Sequence, residues 1–342
     1  MSRLRVLVVE DSVTVRRRLV AILAGDSEIA VVGEAGDGKD AIALAQSLRP
    51  DIVTLDMMLP VMTGLAATEY IMAHCPAPIL IVSASTNRGE LHRTYDALAA
   101  GAVDVLEKPT GMEKPGEWEA RFLAAVKRTA RIRVITHPRA RLHTARPALP
   151  PRDGSAIALV AVGASTGGPA AMLELLRALP APFPLPLLLA IHIGEPFGAA
   201  FAEWLDGQST HRVALARDGE TIAPGCVRVA PPNRHLIADG ARLFLDDGAE
   251  RNSCRPSVDV LFESVARAFG AGAAGCLLTG MGRDGASGLR AIRDAGGVTI
   301  AQDEATCVVY GMPREAVRLG AAQRVLPLGA IGPALAELAG AS

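Results

Sequence analysis

Residues 157–179 read "IALVAVGASTGGPAAMLELLRAL". The apolar run "IALVAV" leads into the glycine-rich turn "GASTGG" at 163–168, and a helical pattern of apolar residues follows the turn. A strand that feeds a helix through a tight turn is the unit from which parallel α/β sheets are built. Such a turn can either cradle a phosphate group or lift a serine out as a nucleophile. The stretch therefore predicts an α/β fold and leaves two kinds of chemistry to be separated.

The same alternation of short β-branched runs and helical patterns occupies residues 4 to about 134 and resumes after residue 156. In the first half it predicts a doubly wound parallel sheet of the flavodoxin-like kind, with strands at "LRVLVV", "AVVGEA", "DIVTLD", "PILIVSA" and "AVDVLE". In the second half it predicts a Rossmann-like α/β domain with strands at "IALVAVG", "LPLLLAIH", "CVRVAP", "GCLLTG" and "VTIAQD". A β-hairpin is expected around Asp239 and Gly240, because an Asp-Gly pair lies between two apolar alternations.

A segment between the two halves breaks this alternation. Residues 135–155 contain four prolines and many arginines without apolar periodicity, a composition typical of a solvated linker. We therefore expect two domains, residues 1–134 and 155–342, joined by a linker at 135–154.

Composition limits the possible partners and locations. The chain has 342 residues, 50% of them hydrophobic, and a formal net charge of -1. A balanced charge argues against nucleic acid as the main partner, since binding to phosphates calls for a basic face. The opening has no signal-peptide pattern, and no uncharged apolar stretch reaches the roughly 20 residues of a membrane helix. We expect a cytoplasmic protein with no segment inserted in a membrane.

The cysteines give no sign of a disulfide framework or a zinc site. Their number is odd, they are widely spread, and none forms a Cys-x-x-Cys pair. We expect reduced core thiols at Cys75, Cys226, Cys254, Cys276 and Cys307.

Polar side chains stand where the predicted strands of the first half end. They are Glu10, Asp11, Asp56, Ser83 and Lys108. Because the carboxyl ends of strands in an open α/β sheet share one crevice, these groups should converge. Clustered carboxylates repel one another unless a hard cation such as Mg²⁺ lies between them. Asp56 is then predicted to accept a phosphoryl group, whose oxygens Ser83 and Lys108 would contact.

This half resembles a two-component receiver domain over nearly all its length, in "VVEDS", "LDMMLPVMTG" and "EKP". The resemblance implies that Asp56 accepts its phosphate from a histidine kinase. It also implies a Mg²⁺ ion with these ligands: Glu10, Asp11, Asp56 and the backbone of Met58. Two positions depart from the family pattern, since Thr63 replaces the usual aspartate and Val105 replaces the switch aromatic. Because Val105 lacks the switch ring, we expect a weaker coupling between phosphorylation and output.

The turn at 163–168 fails both phosphate-loop templates. A dinucleotide fingerprint needs glycine where Ser165 stands, and a Walker loop needs lysine where Pro169 stands. Residues 163–167 do match G-x-S-x-G, the pattern of a nucleophile elbow, and the N-terminus of the following helix offers free N–H groups to an oxyanion. The sequence favours Ser165 as a nucleophile.

A serine nucleophile needs a base and an orienting acid. His192 directly ends the strand "LPLLLAI" and so belongs to the same sheet edge as the serine, whereas His211 and His235 lie in connecting segments. Asp284 lies in a glycine-rich loop that opens a helix after a third strand, and Asp303 is the alternative acid.

The second half contains the stretches "GASTGGPAAMLELL", "IHIGEPFGAAFAEWL", "RPSVDVLFESVA", "LLTGMGRDGASGLRAIRDAGG" and "IAQDEATCVVYGMPREA". They give a resemblance to the catalytic part of the chemotaxis protein-glutamate methylesterases, the CheB family. It implies Ser165 as nucleophile, His192 as base and Asp284 as its orienter, with no cofactor at this site. It further implies an oxyanion hole formed by the backbone N–H groups of Thr166 and Met281.

The implied reaction converts a glutamate γ-methyl ester on a chemoreceptor helix to glutamate and methanol. Deamidation of receptor glutamines is a second activity within the same chemistry. Because a switchable domain is joined to a hydrolase through an arginine- and proline-rich linker, we also expect the unphosphorylated receiver to restrain the esterase. Gly194 and Glu195 replace two prolines of that pattern, which bears on receptor preference. The alternative from another class is a phosphorylation-switched binding protein with a vestigial esterase.

Overall fold

The computed structural model describes residues 3–84, 88–109, 111, 113–132, 134 and 156–340. Two compact units divide the chain, Met1–Arg139 and Ala140–Ser342. The predicted linker at 135–154 lies outside the described residues, so its bounds stay a prediction. Within the described residues, no helix combines the length and apolarity needed to cross a membrane.

The first unit is a five-stranded parallel sheet with the strand order β2-β1-β3-β4-β5. Its strands are β1 (Leu4–Val9), β2 (Ile29–Ala35), β3 (Ile52–Leu55), β4 (Ile79–Ser83) and β5 (Asp104–Glu107). Its helices are α1 (Val13–Ala24), α2 (Gly38–Leu48), α3 (Gly64–His74), α4 (Arg88–Ala99) and α5 (Glu117–Thr129). The predicted doubly wound sheet is confirmed, and its order makes β3 the direct neighbour of both β1 and β4.

The apolar runs form these central strands because helices cover both faces of the sheet. All four residues of β3 are buried, and so are all five of β4. On one face, Trp118 and Phe122 of α5 stack with ring centroids 5.1 Å apart and pack into the core that Val6 and Val8 of β1 share. A rigid sheet of this kind holds the residues that follow β1, β3 and β5 in fixed positions.

The second unit contains a seven-stranded parallel sheet and a separate hairpin. The sheet order is β14-β13-β12-β6-β7-β9-β8. The strands are β6 (Leu159–Ala164), β7 (Leu187–Ile191), β8 (Val213–Leu215), β9 (Val227–Val229), β10 (His235–Asp239), β11 (Arg242–Asp246), β12 (Ala273–Leu277), β13 (Val298–Gln302) and β14 (Arg324–Leu326). The helices are α6 (Gly168–Ala178), α7 (Phe197–Gln208), α8 (Val258–Phe269), α9 (Ala286–Asp294), α10 (Met312–Arg318) and α11 (Leu328–Leu338).

The predicted hairpin is confirmed as β10 and β11. Asp239 pairs with Arg242, so the connection has two residues, and Gly240 adopts the positive φ of +53° that such a tight turn favours. The predicted strand "GCLLTG" is displaced, because β12 begins at Ala273 and ends at Leu277. Small residues at 273–275 are buried in the sheet but give little hydrophobic signal.

Three adjacent strands bring distant parts of the second unit together. In the sheet, β6 lies between β12 and β7. Leu277 pairs with Gly163, and Ala164 pairs with Ile191. The segments that follow these three strands therefore leave the sheet at the same edge.

Candidate active site

Ser165 lies in the tight turn that joins β6 to α6. Its N–H donates to the carbonyl oxygen of Thr279 at 3.0 Å, and its own carbonyl accepts from Gly168 N–H at 2.7 Å. Gly167 has a φ of +76°, and a Cβ there would lie 2.6 Å from the side chain of Val308, so a side chain is excluded by both conformation and space. The turn thus holds a half-buried Ser165 at the sheet edge.

His192 follows β7 directly and lies beside the serine turn. Ser165 and His192 each follow one member of the pair Ala164 and Ile191, and His192 N–H donates to the oxygen of Ala164 at 3.4 Å. The Nε2 of His192 lies 2.8 Å from Oδ2 of Asp284, with 15% of the imidazole and 2% of the carboxylate side chain exposed. The structure therefore brings the predicted base and acid into a partly buried hydrogen bond.

The N-terminus of α8 holds Asp284 in place. Ser257 Oγ donates to Oδ1 at 2.7 Å, and the backbone N–H of Val258 donates to Oδ2 at 2.6 Å. Asn252 Nδ2 adds a bond to Oδ1 at 3.0 Å. A helix N-terminus favours an anion, since its first N–H groups lack partners within the helix. The sequence interpretation missed these contacts, although Ser257 is recognisable as the cap of α8.

Hydrogen bonds and opposite charges set the protonation states of His192 and Asp284 against the effect of burial. Burial raises the pKa of Asp284, but the hydrogen bond and charge of His192, together with bonds from Ser257 and Asn252, outweigh it and hold the pKa at about 2. Burial lowers the pKa of His192, but the hydrogen bond to Asp284 and the contact with Cys254 outweigh it and raise the pKa to about 9. At neutral pH the pair rests as carboxylate and imidazolium.

The second ring nitrogen of His192 is the one left for a nucleophile. Its Nδ1 lies 3.6 Å from Sγ of Cys254, a contact that the sequence interpretation also missed. Among the described residues, no hydrogen bond joins the Ser165 hydroxyl to His192. Catalytic hydrogen bonds commonly form only when substrate is bound. Ser165 and His192 are therefore candidates for nucleophile and base because they lie side by side at the same sheet edge.

Unused backbone donors lie next to Ser165. In the described part of the chain, neither Thr166 nor Met281 uses its N–H in a hydrogen bond. A Cβ added at Gly280 would lie 2.8 Å from Cβ of Ser165, so the loop that begins at 280 packs against the serine turn. Residues 252–254 and 281–284, which include Asp284, line a cavity of about 400 Å³. Both predicted oxyanion donors therefore lie in segments that flank Ser165.

The alternative site residues have other roles. His211 is buried with its Nε2 on a backbone carbonyl at 3.1 Å. His235 is also buried, and its Nδ1 accepts from the N–H of Ser257 at 3.1 Å. Asp303 accepts bonds from the backbone and hydroxyl of Thr306, as in a capped turn. These three side chains support the local structure and do not contact His192.

The acids of the first unit converge as well. One ligand oxygen from each of Glu10, Asp11 and Asp56 lies within 4.8 Å of the others. Lys108 Nζ lies 2.8 Å from Oε2 of Glu10 and 2.9 Å from Oδ2 of Asp56. Burial is the largest influence on the pKa of Glu10 and raises it, despite the bond from Lys108. Three hard oxygen donors at this spacing fit Mg²⁺, which prefers carboxylates and water.

Among the residues that the structure describes, the others predicted to matter in the first unit form no hydrogen bond with Asp56. Ser83 is fully buried and donates to Glu90 Oε1 at 2.6 Å, so its hydroxyl bonds to a carboxylate of α4. Met58 lies two residues beyond Asp56 with a 45% exposed side chain. Thr63 caps α3 by accepting from Ala66 N–H, and Val105 is half-buried in β5.

Comparison with known proteins gives a consistent match for both units. The family model described as CheB methylesterase matches residues 160–335, and the response regulator receiver domain model matches residues 6–115. A relative from Anaeromyxobacter dehalogenans, named protein-glutamate methylesterase/protein-glutamine glutaminase 3, is 46% identical over 97% of this chain and 98% of its own length. One from Myxococcus xanthus with the same enzyme name, numbered 4, is 44% identical over 95% and 94%.

A solved structure supports the assignment of the second unit. The catalytic domain of Thermotoga maritima CheB methylesterase is 37% identical, with a TM-score of 0.52 over 54% of this chain and 99% of that domain. The CheB methylesterase family model covers the part of the chain that carries Ser165, His192 and Asp284. With a receiver domain before a catalytic domain of this type, the chain belongs to the CheB methylesterase family.

Proposed function

We propose that the chain hydrolyses glutamate γ-methyl esters on chemoreceptors, releasing glutamate and methanol. The observation that carries the proposal is the partly buried 2.8 Å bond between His192 and Asp284 at the sheet edge where Ser165 lies. An oriented imidazole beside a serine is the arrangement that acyl transfer requires. The exposed residues Gly194 and Glu195 follow His192 and form part of the surface that a receptor helix would meet.

In the proposed first step, neutral His192 takes the hydroxyl proton of Ser165 at Nδ1 while Oγ attacks the ester carbonyl. Asp284 keeps the opposite nitrogen bonded and stabilises the imidazolium that forms. The oxyanion is bound by the N–H groups of Thr166 and Met281. Methanol leaves with the proton from His192, and water then releases glutamate from Ser165 by the reverse sequence.

Receptor glutamine deamidation is a second activity of the same site. The relatives' names pair methylesterase with glutaminase, and both reactions pass through the same acyl group on Ser165. The amide differs only in its leaving group, which must take the His192 proton as ammonia.

The first unit supplies regulation. Asp56 accepts a phosphoryl group from a chemotaxis histidine kinase, and Lys108 contacts the added oxygens. Glu10, Asp11, Asp56 and the backbone of Met58 would hold Mg²⁺, which neutralises charge on the phosphoryl oxygens when bound. Ser83 must leave Glu90 before its hydroxyl can contact the phosphoryl group.

Methanol release from membranes that carry methylated receptors tests the substrate directly. The full-length chain should release methanol and leave glutamate at the methylated positions, identified by peptide mass. A chain that binds these membranes without releasing methanol would instead support the vestigial-esterase alternative.

Phosphorylation should accelerate this hydrolysis. We expect a rise of about tenfold on addition of a small acyl phosphate, which requires only about 1.4 kcal/mol of differential stability. Residues 153–342 alone should also exceed the unphosphorylated full-length chain, because the restraint comes from the receiver. The measurement is receptor demethylation by the three forms. An isolated catalytic unit no faster than the unphosphorylated chain would contradict restraint and favour direct activation.

Hydrolysis should depend on pH through His192. Because its pKa is raised to about 9, only the minor neutral form acts as a base at neutral pH, and kcat/KM should rise with pH up to that value. In Asp284→Asn the imidazolium loses its anionic partner, so the His192 pKa falls and the rising limb moves to lower pH. The plateau should fall too, by less than in Ser165→Ala.

The matched control for this pH profile is Asp294→Asn, an exposed acid that pairs with Arg290 at the end of α9. Asp294→Asn should leave the rising limb of kcat/KM at the same pH as in the native chain. A limb that stays at the same pH in Asp284→Asn would show that the titrating group is not His192.

A further inference from the structure

A thiol lies against the imidazole that the proposed mechanism uses as its base. Sγ of Cys254 is 3.6 Å from Nδ1 of His192 and 3.4 Å from the backbone oxygen of Asn252. On the other side of the ring, Nε2 bonds to Asp284. Thiol, imidazole and carboxylate thus lie in series, an arrangement in which the neutral imidazole can take the proton of an attacking thiol.

Cys254 differs from the other cysteines in both exposure and neighbours. Cys75, Cys276 and Cys307 are buried, and burial raises the pKa of each thiol, which makes them inert. Cys226 is half-buried like Cys254, but among the described residues its thiol has no hydrogen-bond partner. Only Cys254 in this set combines access with a proton acceptor.

The surroundings of Cys254 favour an anionic reaction partner. The cavity of about 400 Å³ that it lines also contains Arg283, whose Nε donates to Asn252 Oδ1 at 3.3 Å. A guanidinium attracts carboxylates. Cavities of about this volume hold small molecules. The cavity therefore fits a small disulfide that carries carboxylates, of the oxidised glutathione kind.

We propose that Cys254 undergoes reversible thiol–disulfide exchange with a small anionic disulfide and that this exchange switches the hydrolase off. The loss of activity rests on the proposed role of His192. In the exchange, the thiol proton passes to Nδ1 of His192 in its minor neutral form, and the thiolate attacks one sulfur of the disulfide. A bond forms between Sγ and that sulfur, the original S–S bond breaks, and the second sulfur leaves as a thiolate that takes the proton.

The adduct blocks catalysis for two reasons. It occupies the cavity beside the catalytic imidazole, and it holds its bulk at Nδ1, the nitrogen that must receive the Ser165 proton. A reducing thiol reverses the exchange and restores the site. The chain would then hydrolyse receptor esters only while the surrounding thiol pool is reduced.

The test uses the full-length reduced protein with oxidised glutathione near neutral pH. Peptide mass should show the adduct forming on Cys254 about tenfold faster than on Cys226, the matched half-buried thiol. Methanol release should fall by at least about tenfold in step with that adduct and return with dithiothreitol. Equal rates at the two cysteines, or full activity with Cys254 modified, would overturn the proposal.

Three variants separate the possible causes. In His192→Gln the ring acceptor is gone, so modification of Cys254 should slow by about tenfold as read by mass. In Cys254→Ser, oxidised glutathione should not change the variant's own untreated rate, whereas Cys226→Ser should lose activity like the native chain. In Ser165→Ala the adduct should form at the native rate, so failure of the hydrolase assignment leaves the thiol test readable.

Discussion

Ser165→Ala should hydrolyse receptor methyl esters at least about a hundredfold more slowly than the native chain. The turn that follows β6 carries two hydroxyls, those of Ser165 and Thr166. The alanine removes the first of them, which belongs to the predicted nucleophile. It keeps the backbone bonds to Thr279 and Gly168 that shape the turn. The loss should therefore be one of chemistry and not of folding, and the melting temperature should stay near the native value.

Methanol release under single-turnover conditions measures this effect. His192→Ala should lose a comparable factor, because nucleophile and base act as one unit. The control is Ser209→Ala, a half-buried serine that bonds to the backbone after α7, and it should keep native activity. Near-native turnover by Ser165→Ala would refute the assignment of the nucleophile.

Asp56→Asn should abolish phosphorylation of the receiver. With Mg²⁺ and a small acyl phosphate, the native chain should gain the mass of one phosphoryl group and the variant none. The buried Asp56 is the acid that Lys108 contacts at the end of β3, and an amide cannot form the acyl phosphate. The acceleration of ester hydrolysis by phosphodonor should vanish with the mass gain.

The control for this result is Asp51→Asn, since Asp51 precedes the same strand at its opposite end and accepts from Arg5 N–H. This exposed acid should not affect the mass gain. A phosphoryl group retained in Asp56→Asn would place the acceptor elsewhere, with Asp11 as the next candidate.

Much of the fold could be predicted because its signals are local. The apolar run of β1 matches the observed bounds at both ends, and the hairpin follows from one Asp-Gly pair. The strands β8 and β14 were not predicted. Each has only three residues, too few for a period of two to be distinguished, and each lies at an edge of the sheet where pairing partners and not sequence pattern determine the structure.

For the candidate site, the pattern indicated which residues leave the sheet but not what surrounds them. His192 could be predicted because it stands just beyond an apolar run, and Asp284 because it lies in a glycine-rich loop that opens a helix. The contact of Cys254 with Nδ1 of His192 could not be predicted, since the two residues lie 62 positions apart in the chain. The segment of Cys254 forms a small antiparallel bridge between residues 251 and 254, for which the sequence has no apolar periodicity. The expectation of core thiols was correspondingly wrong for Cys226 and Cys254, which are both half-buried.

The attachment of Asp284 to the first turn of α8 limits how this enzyme can diverge. Helix α8 is also a main component of the hydrophobic core, through Val258, Leu261 and Phe262. A substitution that moves α8 would displace Asp284 and also loosen the hydrophobic core. Selection should therefore keep both Asp284 and the core residues of α8 unchanged. Met281 is 40% exposed and Arg283 is also exposed, so neither side chain is constrained by packing in the core. New receptor preferences should therefore arise by substitution at this outer rim, while the acid and its helix stay constant.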